Sequence, residues 1–475
     1  MNPKHTADSP TAPGRAAATA LPALSRRGFL RLAAGAIALA CAGGCRFGAP
    51  SASRQADKPI QLVYQDWRTD WFPPMAQQML NEFHARQPDI RVFYTPDPED
   101  LEEQMPRDMA AGTAPDVFAG CCGFFPIWAQ KGYCLDLRPY VEAHLDPATI
   151  TDWDKAQYEW FFRRDGLQFG LPKYHGALAL YYNLDLFDQA GVAYPTADWD
   201  HDDYLEAMKR LTRDADGDGR TDQWGSMIDI SWDRIQMHVN GWGGHLVDPL
   251  RPTVCLMDRP EAMAAMEWIR ARMWDDKVMA TSRDVEIVPT RQAFAEGRLA
   301  MVEDGSWSLK EILSKAQFRV GVAPFPAGPA RRVTLASTDG FGIYANTRHR
   351  EAAWALLEFL ISPEYGRAMA RANFLQPARA SLIAEWAEMI RAEFPEQSRN
   401  LDLPVFADGH LKGYSVTAEV FADMARAKQV TDAAWRRIFE LGEDPVDLMA
   451  NVCSEIEKGR ASSQEGGGFG RKVFE

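Results

Sequence analysis

The chain has 475 residues, of which 46% are hydrophobic and 25% are charged, a balance typical of globular proteins with two or three domains. Lysine and arginine number 52 against 66 aspartates and glutamates, so the formal net charge is −14. A surface this acidic repels phosphate backbones and anionic lipid headgroups, and we therefore expect no nucleic-acid partner.

The first 44 residues have the pattern of an export signal. The arginine pair Arg26-Arg27, followed closely by Phe29-Leu30, resembles a twin-arginine signal. The uncharged stretch Leu32–Ala42 is too short to cross a bilayer, but it suits the apolar region of a signal peptide. We expect the protein to be exported to the periplasm or the cell surface.

Cys45 follows the small residues Ala42-Gly43-Gly44, as in a bacterial lipoprotein cleavage site, although the usual leucine three positions earlier is absent. We expect Cys45 to be the lipidated first residue of the mature chain. Residues 45–57 then form a small, polar, flexible tether. The lipid alone would hold the protein at the outer face of the cytoplasmic membrane.

Five cysteines remain beyond the signal: Cys121, Cys122, Cys134, Cys255 and Cys453. An odd number leaves at least one free thiol. A bridge from Cys121 or Cys122 to Cys134 suits an oxidising compartment, but buried free thiols are slightly favoured. The adjacent pair lacks the spacing of a zinc site.

After residue 58 the predicted strands and helices alternate. Ile60–Tyr64, Ile90–Tyr94 and Asp116–Phe118 have the β-branched and aromatic content of strands. A β-α-β-α-β order predicts an α/β fold with a mostly parallel sheet flanked by helices. The glycine-rich end, residues 463–475, is expected to be disordered.

Two helices are predicted between these strands. Pro73-Pro74 opens the first, whose apolar residues fall on one face: Met75, Met79, Leu80 and Phe83. Asp100 with Glu103 is typical of a cap for a second helix over Leu101–Ala111. Pro106 lies inside that helix and is expected to kink it.

A further signal comes from segments spread in order along the chain: Ala110–Phe118, Leu135–Tyr140, Gly170–Phe187, Phe294–Trp307, Val320–Pro326 and Ala353–Tyr365. In this order they resemble the family 1 extracellular solute-binding proteins, the sugar-capture subunits of ABC importers. The resemblance implies a two-lobed periplasmic-binding-protein fold of type II-like topology, with a multi-strand hinge. It places the first lobe at residues 58–174 plus 322–372 and the second at residues 175–321 plus 373–462.

The function implied by this resemblance is that of an extracytoplasmic substrate-binding subunit without catalysis or required cofactor. A monomer would capture a sugar or oligosaccharide between the lobes and deliver it to the permease subunits. Gly120, Gly123, Phe124 and Gly176 stand where maltose-type members carry polar residues. A glycerol-phosphate or another polar solute therefore stays open as the ligand.

The alternative is a secreted carbohydrate-active enzyme, a glycosidase or lyase with aromatic subsites. Such an enzyme needs two carboxylates facing each other about 5–9.5 Å apart. The adjacent pair Glu303-Asp304 does not suit this role, because neighbouring residues of an extended segment point to opposite faces.

Candidate ligand contacts follow from the rule that ligands bind beyond the carboxyl ends of strands. The rule and the proposed crossover give Asp66, Trp67, Arg68, Gly120, Cys121, Cys122, Tyr174 and His175. The family pattern and the return strand add Asp304, Trp307, Asp339 and Phe341, with Trp307 matching a sugar-stacking tryptophan. Trp232 and Trp242 complete the set, and Trp242 stands among glycines that leave its ring exposed for stacking.

The segment Asp214–Asp222 matches the first nine positions of a calcium-binding EF-hand loop. The predicted ligands are Asp214, Asp216, Asp218 and Asp222. Position twelve is Gly225 instead of the bidentate glutamate. The sequence thus allows a weak structural calcium site, and a solvated acidic turn is the default interpretation.

Overall fold

The computed structural model describes residues 58–458. The predicted signal at residues 1–44, the tether at 45–57 with Cys45, and the tail at 463–475 lie outside the described residues. Within residues 58–458, no helix combines the length and the apolar character that crossing a membrane requires.

Two five-stranded sheets organise residues 58–458. The first has the order β2-β1-β3-β13-β4 and the second the order β11-β5-β10-β6-β9. The strands of the first sheet are β1 (Ile60–Asp66), β2 (Ile90–Pro96), β3 (Val117–Gly120), β4 (Leu171–Pro172) and β13 (Gly340–Ile343). Those of the second are β5 (Leu178–Asn183), β6 (Trp224–Met227), β9 (Met279–Ala280), β10 (Leu299–Gly305) and β11 (Val320–Ala323).

Two short ribbons accompany these sheets. They are formed by β7 (Val247–Asp248) with β8 (Arg251–Cys255), and by β12 (Thr334–Leu335) with β14 (Ser415–Val416). We refer to the first sheet and the helices packed on it as the first lobe, and to the second sheet and its helices as the second lobe.

Both sheets are mixed, whereas a mostly parallel arrangement was predicted. β1 is parallel to β2 and β3, but β13 is antiparallel to β3, with Gly340 opposite Gly120. In the second sheet β5 is antiparallel to β10, with Leu178 opposite Gly305. β13 starts beside the carboxyl end of β3, and β5 starts beside the carboxyl end of β10. Each of these strands therefore runs antiparallel to its neighbour.

Eighteen helices lie within residues 58–458. They are α1 (Phe72–Arg86), α2 (Leu101–Ala111), α3 (Phe124–Gln130), α4 (Arg138–His144), α5 (Pro147–Thr151), α6 (Lys155–Trp160), α7 (Leu184–Ala190), α8 (His201–Leu211), α9 (Trp232–Gly241), α10 (Pro260–Trp274), α11 (Thr290–Ala295), α12 (Leu309–Lys315), α13 (Arg350–Leu360), α14 (Pro363–Asn373), α15 (Ile383–Glu393), α16 (Val405–Lys412), α17 (Met424–Trp435) and α18 (Pro445–Lys458). Short 3-10 turns cover Ser306–Ser308, Ala380–Leu382 and Gln397–Asn400, and a π-helical turn, Arg436–Glu440, extends α17.

The two helices predicted in the first lobe are confirmed. α1 starts at Phe72, and its predicted apolar residues are all buried against the first sheet. In α2 the Asp100 side chain accepts the backbone N–H of Glu103 at 3.4 Å, as an N-terminal cap does. Pro106 lies inside α2 without ending it.

Three connections join the lobes: residues 173–177, residues 324–339 and residues 374–382. Isolated antiparallel bridges pair Ala177 with Ala336 and Tyr174 with Pro377, so these connections lie side by side. They form the hinge between the two sheets.

The cysteine pairing differs from both sequence interpretations. Cys121 forms a disulfide with its neighbour Cys122, and Cys255 in β8 is bonded to Cys453 in α18. Cys134 is free and buried. The sequence could not indicate the second bond, because its partners are separated by 198 residues.

Candidate functional site

A cavity of about 510 Å³ opens between the lobes. The first lobe contributes Cys122 and Gly123, which directly follow the central strand β3. All other lining residues come from the second lobe: Ile230, Ser231, Trp232, Asp233, Ala418, Glu419, Met424, Lys428, Asp432, Trp435, Arg436 and Glu440.

Trp232 is a fixed aromatic wall of this cavity. It begins α9, and its indole N–H donates to the backbone oxygen of Glu419 at 2.9 Å. Its ring centroid lies 5.6 Å from that of Trp435, and 7% of the residue is exposed. The prediction placed Trp232 at the ligand site, and the structure places it on the cavity wall.

Asp233, next to Trp232, is a carboxyl group with free bonding capacity in the cavity. Its side chain has no hydrogen-bond or ion-pair partner among residues 58–458. Burial raises the pKa of Asp233, although Arg234 and Lys428 oppose the rise. A carboxylate in this position is available to accept hydrogen bonds from a ligand.

The far side of the cavity, along α17 and the π-helical turn, carries both signs of charge. Lys428 Nζ lies 3.9 Å from Glu102 in α2, which connects the two lobes electrostatically. The exposed side chains of Asp432 and Arg436 form no ion pair or hydrogen bond within the described part of the chain. Glu440 accepts the Ser282 hydroxyl at 2.7 Å.

The carboxyl end of β1 carries a buried charge cluster. Asp66 and Lys173 form an ion pair in which both side chains are 0% exposed. Lys173 Nζ also lies 3.1 Å from the ring centroid of Trp67, a cation–π contact. Asp66 was predicted to bind ligand directly, but the protein itself satisfies it, and it supports Trp67 through Lys173.

Two further carboxyl groups lie around this ion pair. Burial raises the pKa of Asp97 to about 7, with Asp66 adding to the rise and Lys173 opposing it. Burial also raises the pKa of Asp339 to about 7, against the effect of Lys173 and with contributions from Asp66 and Asp233. The charge of Asp233 in the second lobe contributes to the raised pKa of Asp339, so the two carboxyl groups lie in one region of the cleft.

Tyr174 connects this cluster to the hinge. Its ring packs edge-on against Trp67 at 5.5 Å between centroids, and burial raises the pKa of its hydroxyl, with the charge of Asp339 adding to the rise. The backbone N–H of Lys173, next to Tyr174, donates to the backbone oxygen of Asp339 at 3.1 Å, so Tyr174 and Asp339 lie close together. Their contact with a ligand stays a prediction.

Trp307 lies between the two lobes. Its half-buried ring contacts the hydrophobic cores of both, and a methyl group at Gly176 or Gly305 would lie 2.7 Å or 2.3 Å from it. The glycine at position 176, where maltose-type members carry a carboxylate, thus makes room for the ring. The guanidinium carbon of Arg234 lies 5.8 Å from the ring centroid.

Asp304 supports this arrangement from within the protein. Its Oδ2 accepts Nε of Arg291 at 2.8 Å, and its Oδ1 accepts the backbone N–H of Gly305 at 2.7 Å and an Arg234 nitrogen at 3.3 Å. These bonds occupy the carboxylate, so Asp304 positions Arg234 and does not face a ligand as predicted.

Several other predicted contacts lie away from the cavity. Phe341 is 0% exposed in the first-lobe core, and Gly120 is buried in β3 against Phe125, so both are packing residues. His175 is buried in the hinge, where its Nε2 lies 3.3 Å from Asp154 Oδ2. Arg68 is exposed and lies 3.4 Å from Glu99.

Trp242 is also distant from the cavity wall. Its ring packs at 4.4 Å from that of His201 and 5.8 Å from that of Trp268. The neighbouring glycines do not leave it exposed for stacking, because this cluster in the second lobe covers it.

The predicted contacts did not include Asp233, Lys173, Met424 and Arg436. Asp233 adjoins a predicted tryptophan at a helix start, which is a signal that could have identified it. Arg436 begins a π-helical turn, and such turns are frequent at functional sites, but they leave no pattern in a single sequence.

The acidic loop brings three of its four predicted ligands together. Asp214, Asp216 and Asp218 are exposed. One carboxylate oxygen of each lies within 4.8 Å of those of the other two. Asp222 instead accepts the backbone N–H groups of Ala215 at 2.7 Å and Asp216 at 3.3 Å. Backbone hydrogen bonds, that of Gly219 first, hold the pKa of Asp214 below its usual range.

Comparison with known proteins identifies the class. Residues 66–367 match the family described as bacterial extracellular solute-binding protein. The chain belongs to this family, which confirms the predicted solute receptor and the predicted export.

Individual relatives agree with this assignment. The maltodextrin-binding protein of Bacillus subtilis is 24% identical over 352 residues, which are 71% of this chain and 76% of the relative. An ABC substrate-binding protein of Listeria monocytogenes, solved with cycloalternan, has a TM-score of 0.72 at 24% identity, covering 85% of this chain and 100% of that one. UgpB of Mycobacterium tuberculosis, solved with glycerophosphocholine, has a TM-score of 0.67 at 19% identity, covering 85% and 98%.

These structural likenesses confirm the predicted two-lobed α/β binding-protein fold. The similar proteins are substrate-binding proteins, which supports a receptor and gives no support to the alternative of a carbohydrate-active enzyme.

Proposed function

We propose that the protein, as a monomer, captures a carbohydrate in the interlobe cavity and delivers it to the permease subunits of an ABC importer. The observation that carries this proposal is the pair Trp232 and Asp233. An aromatic face beside a carboxylate without a protein partner matches the apolar C–H face and the hydroxyl edge of a sugar. The relatives that bind maltodextrin and cycloalternan agree with this choice.

The charge around the cavity favours a neutral ligand over a phosphate. Its lining contains the acids Asp233, Glu419, Asp432 and Glu440 against the bases Lys428 and Arg436. An excess of carboxylates repels a phosphate group, whereas carboxylates accept hydrogen bonds from sugar hydroxyls.

Calorimetric titration with maltotriose, mannotriose, cycloalternan and glycerophosphocholine tests the proposal. We expect at least one of the sugars to bind, and Asp233→Asn to weaken that binding by about 10-fold or more, as for hydrogen bonds to a charged group. Asp202→Asn, in the first turn of α8, is the matched control and should bind as wild type does. If only glycerophosphocholine binds, the proposed sugar ligand is wrong and the protein binds a phosphate-bearing solute.

The enzyme alternative is tested with the same sugars. The purified protein, incubated with the mixture, should leave every sugar chemically unchanged in chromatography. Turnover of any of them would overturn the receptor assignment.

We further propose that Cys45 carries the lipid anchor and that Arg26-Arg27 directs export through the twin-arginine route. Cys45→Ser should move the protein from the membrane fraction to the soluble fraction and remove the lipid. Replacing Arg26 and Arg27 by lysines should block export. A lipidated Cys45→Ser protein, or normal export of the lysine variant, would contradict the respective assignment.

A further inference from the structure

The first lobe reaches the cavity at Cys122, which is bonded to Cys121 in a disulfide, and at the following Gly123. β3 is the central strand of the first sheet, and the disulfide follows its last residue directly. Cys122 is exposed and lines the cavity, and Cys121 is half-buried behind it. The disulfide thus lies at the carboxyl end of a central strand, which is where α/β sheets bind ligands.

The surrounding structure fixes this element on both sides. The backbone oxygen of Cys121 accepts the N–H of Phe125 at 3.2 Å as α3 begins. The N–H of Cys122 donates to the Thr338 hydroxyl at 3.2 Å, next to Asp339. Cys122 has a φ of +54°, a left-handed conformation that residues other than glycine seldom adopt.

A disulfide between neighbouring residues closes a small ring and so prevents rotation of both side chains. Its sulfur atoms are polarisable and apolar and carry no hydrogen to donate, as in the thioether of methionine. Such a surface suits the C–H face of a sugar ring and does not compete for its hydroxyl groups. The same cavity holds Trp232 and Asp233, which complement the two kinds of surface on a sugar.

We propose that the Cys121–Cys122 disulfide is a ligand-contacting surface of the first lobe, a rigid apolar plate against which the sugar packs. This inference rests on the proposed function and adds a specificity-determining element to it. It also makes capture dependent on the oxidised state, because two free thiols can rotate and no longer form one plate.

The reduction in this proposal is a thiol–disulfide exchange with a dithiol. Dithiothreitol transfers two electrons and two protons, becomes a cyclic disulfide, and leaves Cys121 and Cys122 as thiols. The bond between Cys255 and Cys453 offers a matched control, because both cysteines are buried in the second lobe and neither lines the cavity.

The test compares wild type with Cys121→Ser/Cys122→Ser and with Cys255→Ser/Cys453→Ser by calorimetry. The titrant is a mixture of maltotriose, mannotriose and cycloalternan. We expect about 10-fold weaker binding by the first variant and binding within about 2-fold of wild type by the second. Circular dichroism checks that each variant folds.

A second measurement uses the native chain. Dithiothreitol is added with or without the sugar mixture, the released thiols are alkylated, and mass spectrometry follows each cysteine pair. The sugars should slow the opening of Cys121–Cys122 about 10-fold and leave that of Cys255–Cys453 unchanged. This measurement decides the question if the first variant does not fold.

The outcomes separate the two proposals. Sugar binding by wild type, together with an unaffected Cys121→Ser/Cys122→Ser variant or an unprotected disulfide, overturns the inference and leaves the proposed function standing. Absence of binding by wild type overturns the proposed function, and the inference with it.

Discussion

Asp97 and Asp339 make the stability of the protein depend on pH. Both have a pKa of about 7 in the folded chain, against about 3.9 for an unfolded aspartate. Between these values the folded state binds more protons than the unfolded state, so the free energy of unfolding falls as the pH rises through this window. We expect Asp97 and Asp339 together to lower the Tm as the pH rises from about 4 to about 7, and Asp339→Asn to remove its part of this dependence.

The measurement is a series of thermal melts of wild type and variant at each pH. Asp70→Asn removes an exposed carboxylate and should keep the slope of wild type. Parallel curves for wild type and Asp339→Asn would show that Asp339 titrates in the folded state as it does in the unfolded chain.

Trp307 matches a sugar-stacking tryptophan in the sequence, and the structure adds that its ring lies between the two lobes. Its ring contacts the hydrophobic cores of both lobes, so it is placed to respond to the closure of the cleft around a ligand. We expect Trp307→Ala to weaken sugar binding by about 2–4 kcal/mol, as for a hot-spot truncation, without changing the far-UV circular dichroism.

Trp242→Ala is the comparison for this variant, because Trp242 packs in a cluster of the second lobe alone, whereas Trp307 contacts both lobes. It should lower the Tm and keep the affinity. Unchanged affinity of Trp307→Ala would remove Trp307 from the site, and loss of folding would assign it to the core.

At the scale of elements, local chemistry determined what the sequence could predict. Pro73-Pro74 and Asp100 mark helix starts through fixed backbone angles and a side-chain cap, and both helices form where these signals lie. Strand direction was less accessible. β13 is antiparallel because it enters from the hinge, a property of the chain path that strand composition does not contain.

The same distinction applies to the site. Trp232 is a predicted contact that lies on the cavity wall, whereas Trp67 and Tyr174, predicted from strand ends, pack against each other outside its lining. The opposite wall consists of Met424, Arg436 and Glu440, which only tertiary packing brings to the cavity. Asp304 was misassigned because its pattern shows a carboxylate near Trp307 and does not show the two arginines that occupy it.

The acidic loop after α8 leads to a prediction about calcium. Three carboxylates converge, but the bidentate ligand is missing, so an affinity of about 0.1–1 mM is expected. At about 10 mM calcium such a site stabilises the fold by about 1–3 kcal/mol. The Tm should therefore rise by a few degrees and return to its initial value with a chelator.

Asp214→Asn/Asp216→Asn should abolish this shift, since it removes two of the converging charges. Asp222→Asn, whose carboxylate lies outside the converging group, should retain it at least in part. An equal response of wild type and the double variant to calcium would identify the loop as a solvated turn.

At the scale of the whole molecule, the two lobes meet at the cavity. A methyl group at Gly123 would lie 2.5 Å from Met424 Cγ and 3.0 Å from Val420 Cγ1, both in the second lobe. Glycine at position 123 thus permits the closest approach of the lobes. Lys428 and Glu102 add a weak ion pair across the same gap.

The hinge contains a polar network that links segments distant in the chain. Burial alone would raise the pKa of Asp154, but hydrogen bonds with His175 and His410 hold it well below its usual range. His175 also lies 3.2 Å from Gln376 in the third connection. These contacts keep the connections together while the lobes move about them.

A ligand that touches both lobes favours their closed arrangement, because it gains additional contacts there. Small-angle scattering of wild type should show a smaller radius of gyration when the bound sugar is present. In Gly123→Ala the added methyl group holds Met424 away. We therefore expect a smaller compaction and an affinity about 10-fold weaker, with the hinge unchanged.

The side chain that the methyl group meets gives the strongest check on this prediction. Met424→Ala in the Gly123→Ala protein removes the collision and should restore compaction, a coupling that two independent substitutions would not show. Gly366→Ala in α14 serves as the control, because a methyl group there meets its neighbours, Pro377 and Leu382 of the third connection, only at an ordinary contact distance of 3.7 Å. Compaction and binding of Gly123→Ala as in wild type would contradict this prediction. It would show that the Met424 side chain moves aside without cost and that position 123 does not limit the approach of the lobes.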